Sequence, residues 1–270
     1  MEFEFVKMHG IGNDYVYVDC FKNPAPKDPA ALSIEISKEH TGIGSDGLIL
    51  ILPEEGADAR MRIFNKDGSE GEMCGNGIRC VGKYLYDSGL VKKNIMNIMT
   101  GYGMRELEVF TEGGVAVAAK VEMGVPKFSE KPVTITYPDG GKATFTHLYV
   151  GNPHAVTLDR IPTEKGFFED GPFTENNPAF PGRVNASFCR AVDTTHLVTR
   201  IWERGSGPTL ACGSGATATL AAACRAGACG RKATVSLPGG DLFIEWEESG
   251  SLFMTGPAAI SFTGTWKDRL

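Results

Sequence analysis

The sequence predicts a mixed α/β (α+β) fold of two pseudo-symmetric domains, the second a duplicate of the first. Three observations predict it. Setting Arg62-Ile63-Phe64-Asn65 beside Arg200-Ile201-Trp202-Glu203 defines an offset of 138 positions. At that offset Cys74-Gly75-Asn76-Gly77 falls on Cys212-Gly213-Ser214-Gly215, Gly89 on Gly227 and Gly101 on Gly239. An offset one residue longer places Gly12-Asn13-Asp14 on Gly151-Asn152-Pro153. Such a register points to a repeated structural unit rather than to chance in a glycine-rich chain. The second observation is that strand-like and helix-like patterns alternate in the same order in both halves. The third is the placement of glycine: many of the 34 glycines lie in short clusters with polar residues, where backbone can turn or approach a ligand closely.

The elements follow in order. Leu48 to Leu52 and Ala59 to Phe64 read as strands from their apolar or alternating character, and so do Leu197 to Trp202 and Asp241 to Glu247. A helix follows each Cys-Gly-x-Gly element. In the first, Ile78, Val81 and Leu85 recur at helical spacing. In the second, Ala216 to Cys224 is small and apolar nearly all round, which suits a helix enclosed by sheet. Gly89 and Gly227 supply the glycine stops. The stretch from Met123 to Val133, with Pro126 and Pro132, divides the halves. Residues 161 to 183 carry four prolines and read as a long surface loop with at most one short helix.

Composition narrows the function. With 27 Lys and Arg against 33 Asp and Glu, the net charge is −6, which leaves no basic face of the kind nucleic acid requires. No apolar run approaches the roughly 20 residues of a membrane span, and no signal-peptide pattern follows Glu2-Phe3-Glu4-Phe5. Seven scattered cysteines then suggest reduced thiols and a cytoplasmic protein. No Cys-x-x-Cys or His-x-x-x-His spacing suggests zinc, and no lysine context suggests pyridoxal phosphate, so neither metal nor cofactor is expected.

Each repeat sets a cysteine just before a helix. The positive end of the helix dipole favours a thiolate there, and the N–H groups of the first turn can hold a carboxylate. Two opposed thiols suit a two-base inversion at carbon, one removing the α-proton while the other delivers a proton to the opposite face. Cys74 and Cys212 are therefore the candidate acid and base. Cys20, Cys80, Cys189, Cys224 and Cys229 lack this context and are assigned to packing.

The chain resembles the diaminopimelate epimerase family over nearly its whole length. The resemblance is carried by Lys7-Met8-His9-Gly10-Ile11-Gly12-Asn13-Asp14, Thr41-Gly42-Ile43-Gly44-Ser45-Asp46-Gly47, Arg62-Ile63-Phe64-Asn65 and Met73-Cys74-Gly75-Asn76-Gly77-Ile78-Arg79. It continues in Gly151-Asn152-Pro153-His154, Arg183-Val184-Asn185-Ala186, Trp202-Glu203-Arg204-Gly205 and Ala211-Cys212-Gly213-Ser214-Gly215. It implies two domains, each a β-sheet wrapped around a central helix, with the active site in the interdomain cleft. It also implies cofactor-independent conversion of LL- to meso-diaminopimelate by Cys74 and Cys212, on the route to lysine and peptidoglycan. By the same resemblance His154 and Glu203 assist the thiols. The N–H groups of Gly75, Asn76, Gly213 and Ser214 would take the carboxylate at the reacting centre, and Glu203 would pair with an ammonium. Asn13, Asn65, Asn152, Asn185 and Arg204 would grip the rest of an amino-acid substrate. A homodimer is implied. A racemase or epimerase of another amino acid would keep both cysteines and change the clamp. The expected domains are residues 1–122, joined by the closing segment 262–270, and residues 123–261.

Overall fold

The computed structural model of the protein describes residues 2–267; residue 1 and residues 268–270, the end of the expected closing segment, lie outside the described residues. In chain order the elements are β1 (Glu2–Gly10), β2 (Asn13–Asp19), α1 (Pro29–Ile36), β3 (Gly47–Leu52), β4 (Ala59–Asn65), β5 (Glu70–Gly71), α2 (Gly75–Asp87), β6 (Ile95–Thr100), β7 (Gly103–Glu112) and β8 (Val115–Gly124). There follow β9 (Lys127–Phe128), β10 (Val133–Thr136), β11 (Lys142–Val150), β12 (Asn152–Thr157), α3 (Glu164–Glu175), β13 (Asn185–Asp193), β14 (His196–Glu203), β15 (Gly207–Pro208), α4 (Gly213–Arg225), β16 (Lys232–Leu237), β17 (Gly240–Trp246), β18 (Leu252–Pro257) and β19 (Ala259–Lys267). They form two compact units, residues 2–121 with 256–267 and residues 122–255.

One topology is used in each unit. In the first, β1 and β2 are antiparallel, β2 and β3 parallel, β3 and β4 antiparallel, β4 and β6 parallel, and β6 and β7 antiparallel. In the second, β11, β12, β13, β14, β16 and β17 repeat that series of directions without a change. A parallel pair needs a long crossover. Helices α1 and α2 supply the two crossovers of the first unit, and α3 and α4 those of the second.

Helices α2 and α4 are the central ones. Every residue of α2 from Asn76 to Lys83 is buried, and every residue of α4 from Gly215 to Ala223. Helix α2 packs on β1, β2 and β7, and α4 on β11 to β14, β16 and β17. Each sheet is thus wrapped around one helix, which is why α4 is apolar nearly all round. Strand β3, Gly-Leu-Ile-Leu-Ile-Leu, is buried from Gly47 to Ile51 because α1 packs on one face and Gly77 of α2 lies against Ile49 on the other. On the outer side of each sheet lies a second apolar cluster. In the first unit it joins Leu32 and Ile36 of α1 to Val16, Val18, Leu48 and Leu50; in the second it joins Phe167 of α3 to Phe145, Ala155, Ala186 and Phe188.

The glycine stops take the expected form. Gly89 and Gly227 have φ of 73° and 74°, and Ala228 N–H returns to Ala223 C=O at 2.9 Å, closing a Schellman turn. The reading of residues 161 to 183 as mainly loop is corrected by α3, a 12-residue helix. Thr163 caps it, its hydroxyl accepting Gly166 N–H at 3.1 Å. Buried Phe167 packs edge-on against Phe188 and Trp202. Tertiary packing carries this helix through Pro172, whose missing N–H ordinarily argues against a helix interior.

Candidate active site

In the first unit the chain leaves β5 and enters α2 at Cys74, the N-cap residue, with φ −133° and ψ 116°. The Cys74 Sγ does what a serine hydroxyl usually does at this position and accepts Gly77 N–H at 3.3 Å. It also donates to Asn13 Oδ1 at 3.4 Å, and Asn76 Nδ2 donates to the same oxygen at 3.3 Å. Asn13 in turn donates through Nδ2 to Asp46 Oδ2 at 2.7 Å, beside the 3.1 Å bond from Asp14 N–H. Burial pushes the Asp46 carboxyl up, against the lowering by these two donors. Arg79, wholly buried, donates to Asn76 Oδ1 at 3.0 Å and to the carbonyls of Gly75 and Pro257, both at 3.3 Å.

The second unit repeats the cap and changes its surroundings. Cys212 is the N-cap of α4, buried, with Ser214 Oγ at 3.7 Å. A thiolate favoured by the helix is the sequence expectation. Instead burial, and then the charge and hydrogen bond of Glu203, push the Cys212 thiol well up, outweighing the Ser214 hydroxyl and Gly215 N–H. Glu203 accepts from the Thr209 hydroxyl. His154 is wholly buried and pushed down to about 3, chiefly by burial and then by Arg204 and His147, so its imidazole is neutral. Its Nε2 lies 2.6 Å from Asn152 Oδ1, while its Nδ1 is buried with no hydrogen-bond partner among the described residues.

In both helices the third residue is glycine for a packing reason. A Cβ on Gly77 would stand 2.6 Å from Ile49 Cδ1; on Gly215 it would stand 2.5 Å from Ile201 Cδ1 and 3.2 Å from Cys212 Sγ. The first helical bonds are Ile78 N–H to Cys74 C=O and Ala216 N–H to Cys212 C=O, both 2.9 Å. The N–H groups of Gly75, Asn76, Gly213 and Ser214 therefore precede the helical ladder, where an anion is favoured.

Within the first unit, then, Asn13, Cys74 and Asn76 come together, whereas Asn65 turns its amide to Ser69 Oγ at 3.0 Å. Within the second, Asn185 links two of the expected residues: its Nδ2 donates to Pro153 C=O at 2.8 Å, next to His154, and its Oδ1 accepts Arg204 N–H at 2.9 Å. The Arg204 side chain is exposed, with Nη1 3.3 Å from Gly182 C=O. Among the described residues no group of three or more His, Cys, Asp or Glu side chains is placed to hold a metal ion. Sequence reasoning missed Glu175, the last residue of α3. Its buried carboxylate accepts Trp202 Nε1 and Gly205 N–H, both at 2.7 Å, and pairs with Arg183, so it braces the end of β14 at Glu203 and the turn bearing Arg204. The reading of that stretch as a loop with at most one short helix hid it.

The profile described as diaminopimelate epimerase matches residues 5–129 and 146–261. The diaminopimelate epimerase of Acetivibrio thermocellus is 48% identical over 276 residues, covering 96% of this chain and 97% of the relative. That of Bacteroides thetaiotaomicron is 47% identical over 262 residues, covering 97% of each. Among solved structures, a hydroxyproline epimerase from Agrobacterium vitis with bound trans-4-hydroxy-L-proline superposes with a TM-score of 0.76 at 18% identity, covering 98% of this chain and 92% of that one. A phenazine biosynthesis protein of the PhzF family from Bacillus anthracis has a TM-score of 0.74 at 14% identity, covering 99% and 100%. These two share the fold.

Proposed function

The chain belongs to the diaminopimelate epimerase family, and on that premise we propose that Cys74 and Cys212 are the acid and base that convert LL- to meso-diaminopimelate. One observation carries the residue assignment: each cysteine is the N-cap of a buried 13-residue helix, at equivalent places in two copies of one topology. One thiolate removes the α-proton and the other thiol delivers a proton to the opposite face, so the pair is restored by the reverse reaction. The substrate carboxylate takes the N–H groups of Gly75, Asn76, Gly213 and Ser214, whose dipoles also stabilise the charge that develops when the α-proton leaves.

Glu203, beside Cys212, accepts the proton that this thiol must lose and pairs with the ammonium. Neutral His154 offers Nδ1 as an acceptor. Asn13, Asn65, Asn152, Asn185 and Arg204 bind the distal amino-acid end, with Arg204 suited to a carboxylate. The enzyme acts in the cytoplasm as a homodimer, on a free amino acid that supplies lysine and peptidoglycan synthesis. Among the described residues no helix is long and apolar enough to cross a membrane.

Incubation with LL-diaminopimelate in deuterated water under reducing conditions should place deuterium at one α-carbon and yield the meso isomer. Cys74→Ala and Cys212→Ala should each lose about 10²–10⁴-fold in kcat, the usual size of an acid–base contribution. Isotope incorporation into other amino acids, with none into diaminopimelate, would refute the substrate assignment.

A further inference from the structure

The hydrogen bonds around Cys74 form a chain whose direction is imposed from both ends. Arg79 has only donors, so the Asn76 atom facing its Nη1 at 3.0 Å must be the carbonyl oxygen. Asn76 therefore turns its NH₂ outward, 3.3 Å from Asn13. At the other end the Asp46 carboxylate takes two donors on Oδ2, Asp14 N–H and the Asn13 amide. An ionised carboxylate only accepts, so the Asn13 atom facing it at 2.7 Å must be the NH₂. Both constraints leave Asn13 with one sense, its Oδ1 toward Asn76 and toward Cys74 Sγ at 3.4 Å. The guanidinium fits because Gly10 has no side chain: a Cβ there would lie 2.7 Å from Arg79 Nη2 and 3.2 Å from Asn76 Cβ.

We infer that Arg79 and Asp46 are positioning residues that lock the Asn13 amide with its oxygen toward Cys74, where it accepts the thiol proton and opposes the loss of that proton which Gly77 N–H favours. A flipped Asn13 amide would present NH₂ to the sulfur and favour the thiolate. The duplicate half lacks the device. Thr217 stands where the first half has Arg79, its hydroxyl turned back to Gly213 C=O at 2.8 Å. The counterpart of Asn13, Asn152, has its Oδ1 engaged by His154. The chain of bonds therefore distinguishes the two thiols before substrate arrives. Beyond Arg79 and Asp46, the charged and titratable groups about it are Asp14 with its partner Lys7, Lys66 beside Asp46, and Tyr17 and Cys80 beside Arg79.

The inference rests on the assignment of Cys74 to proton transfer, and its test reads the thiol rather than turnover. The measurement is the pH dependence of iodoacetamide alkylation, followed by mass spectrometry at the Cys74 peptide in the full chain. In Asp46→Asn the new amide can donate to Asn13 and release its lock, and the alkylation midpoint should fall by about one pH unit, a tenfold change in the proton equilibrium. Loss of the Asp46 charge alone could also lower it, so the same substitution is made in an Asn13→Ala background. There the shift should shrink to the part that the lost charge alone contributes, because no amide remains to turn. An unchanged midpoint in folded Asp46→Asn, or an equal shift with and without Asn13, overturns the inference. If Asp46→Asn does not fold, neutron diffraction from the deuterated unmodified protein decides: two deuterons on the Asn13 atom facing Asp46 uphold it, and two on the atom facing Cys74 overturn it. An epimerase assay that fails while the alkylation shift appears would refute the substrate and leave the lock standing.

Discussion

His154 couples the site to pH through burial. Its folded value of about 3 lies below the roughly 6.5 of an unfolded histidine. Between these values the unfolded chain binds more protons, so this residue's contribution makes stability fall as pH drops from about 6.5 toward 3. Each unit within that window costs about 1.4 kcal/mol. Urea unfolding at pH 6.5 and 4.5 should show that loss in the natural protein and a smaller one in His154→Gln; equal losses would mean that other groups set the acid limit. The same residue illustrates how much of the site was legible. The sequence picks out Cys74, Cys212 and their glycines because duplication marks them. It is silent on why Cys212 is pushed up, since that depends on burial and on Glu203 arriving from β14.

Among the elements, α3 is one that the sequence conceals. Pro172, Gly166 and Gly171 interrupt its pattern, and what holds it is the Phe167 contact with Phe188 and Trp202 together with the Thr163 cap. Thr163→Ala should cost about 1 kcal/mol, as lost caps do, and Thr163→Ser much less. Thermal unfolding of the two variants checks this, and equal midpoints would show that the aromatic contacts alone fix the helix start. Because Glu175 ends α3 and braces the end of β14 at Glu203 and the turn bearing Arg204, fraying of α3 should raise KM before it lowers the midpoint appreciably. Helices α2 and α4, by contrast, are legible because their periodicity, cysteine starts and glycine stops all agree.

At the scale of the molecule, the last described strand completes the first unit. Strand β19 pairs with β1 from Glu2↔Lys267 to His9↔Ala259, with a register shift between Lys7 and Met8, and Trp266 packs on the cluster containing Phe3 and Phe5. In the second unit β9, which follows β8 in the chain, pairs with β11. Ending the chain after Pro257 would leave one edge of β1 unpaired and its apolar residues uncovered, a condition that favours aggregation. Hydrogen exchange of that variant should show β1 amides unprotected while β12 amides stay protected. Full protection of β1 would mean that its pairing with β2 suffices.

By itself the sequence determined the duplication, the order of elements around each Cys-Gly-x-Gly start and the identity of the candidate acid and base. These are local patterns, repeated at one offset, and a linear chain displays them directly. Only the tertiary structure decided which neighbours govern each thiol. Asn13 reaches Cys74 from 61 positions away and is itself held by Asp46, 33 positions from it, and Glu203 reaches Cys212 from the end of β14. Hydrogen-bond sense and burial depend on which groups meet in three dimensions, and two equivalent cysteines in the sequence thereby become two different thiols in the fold.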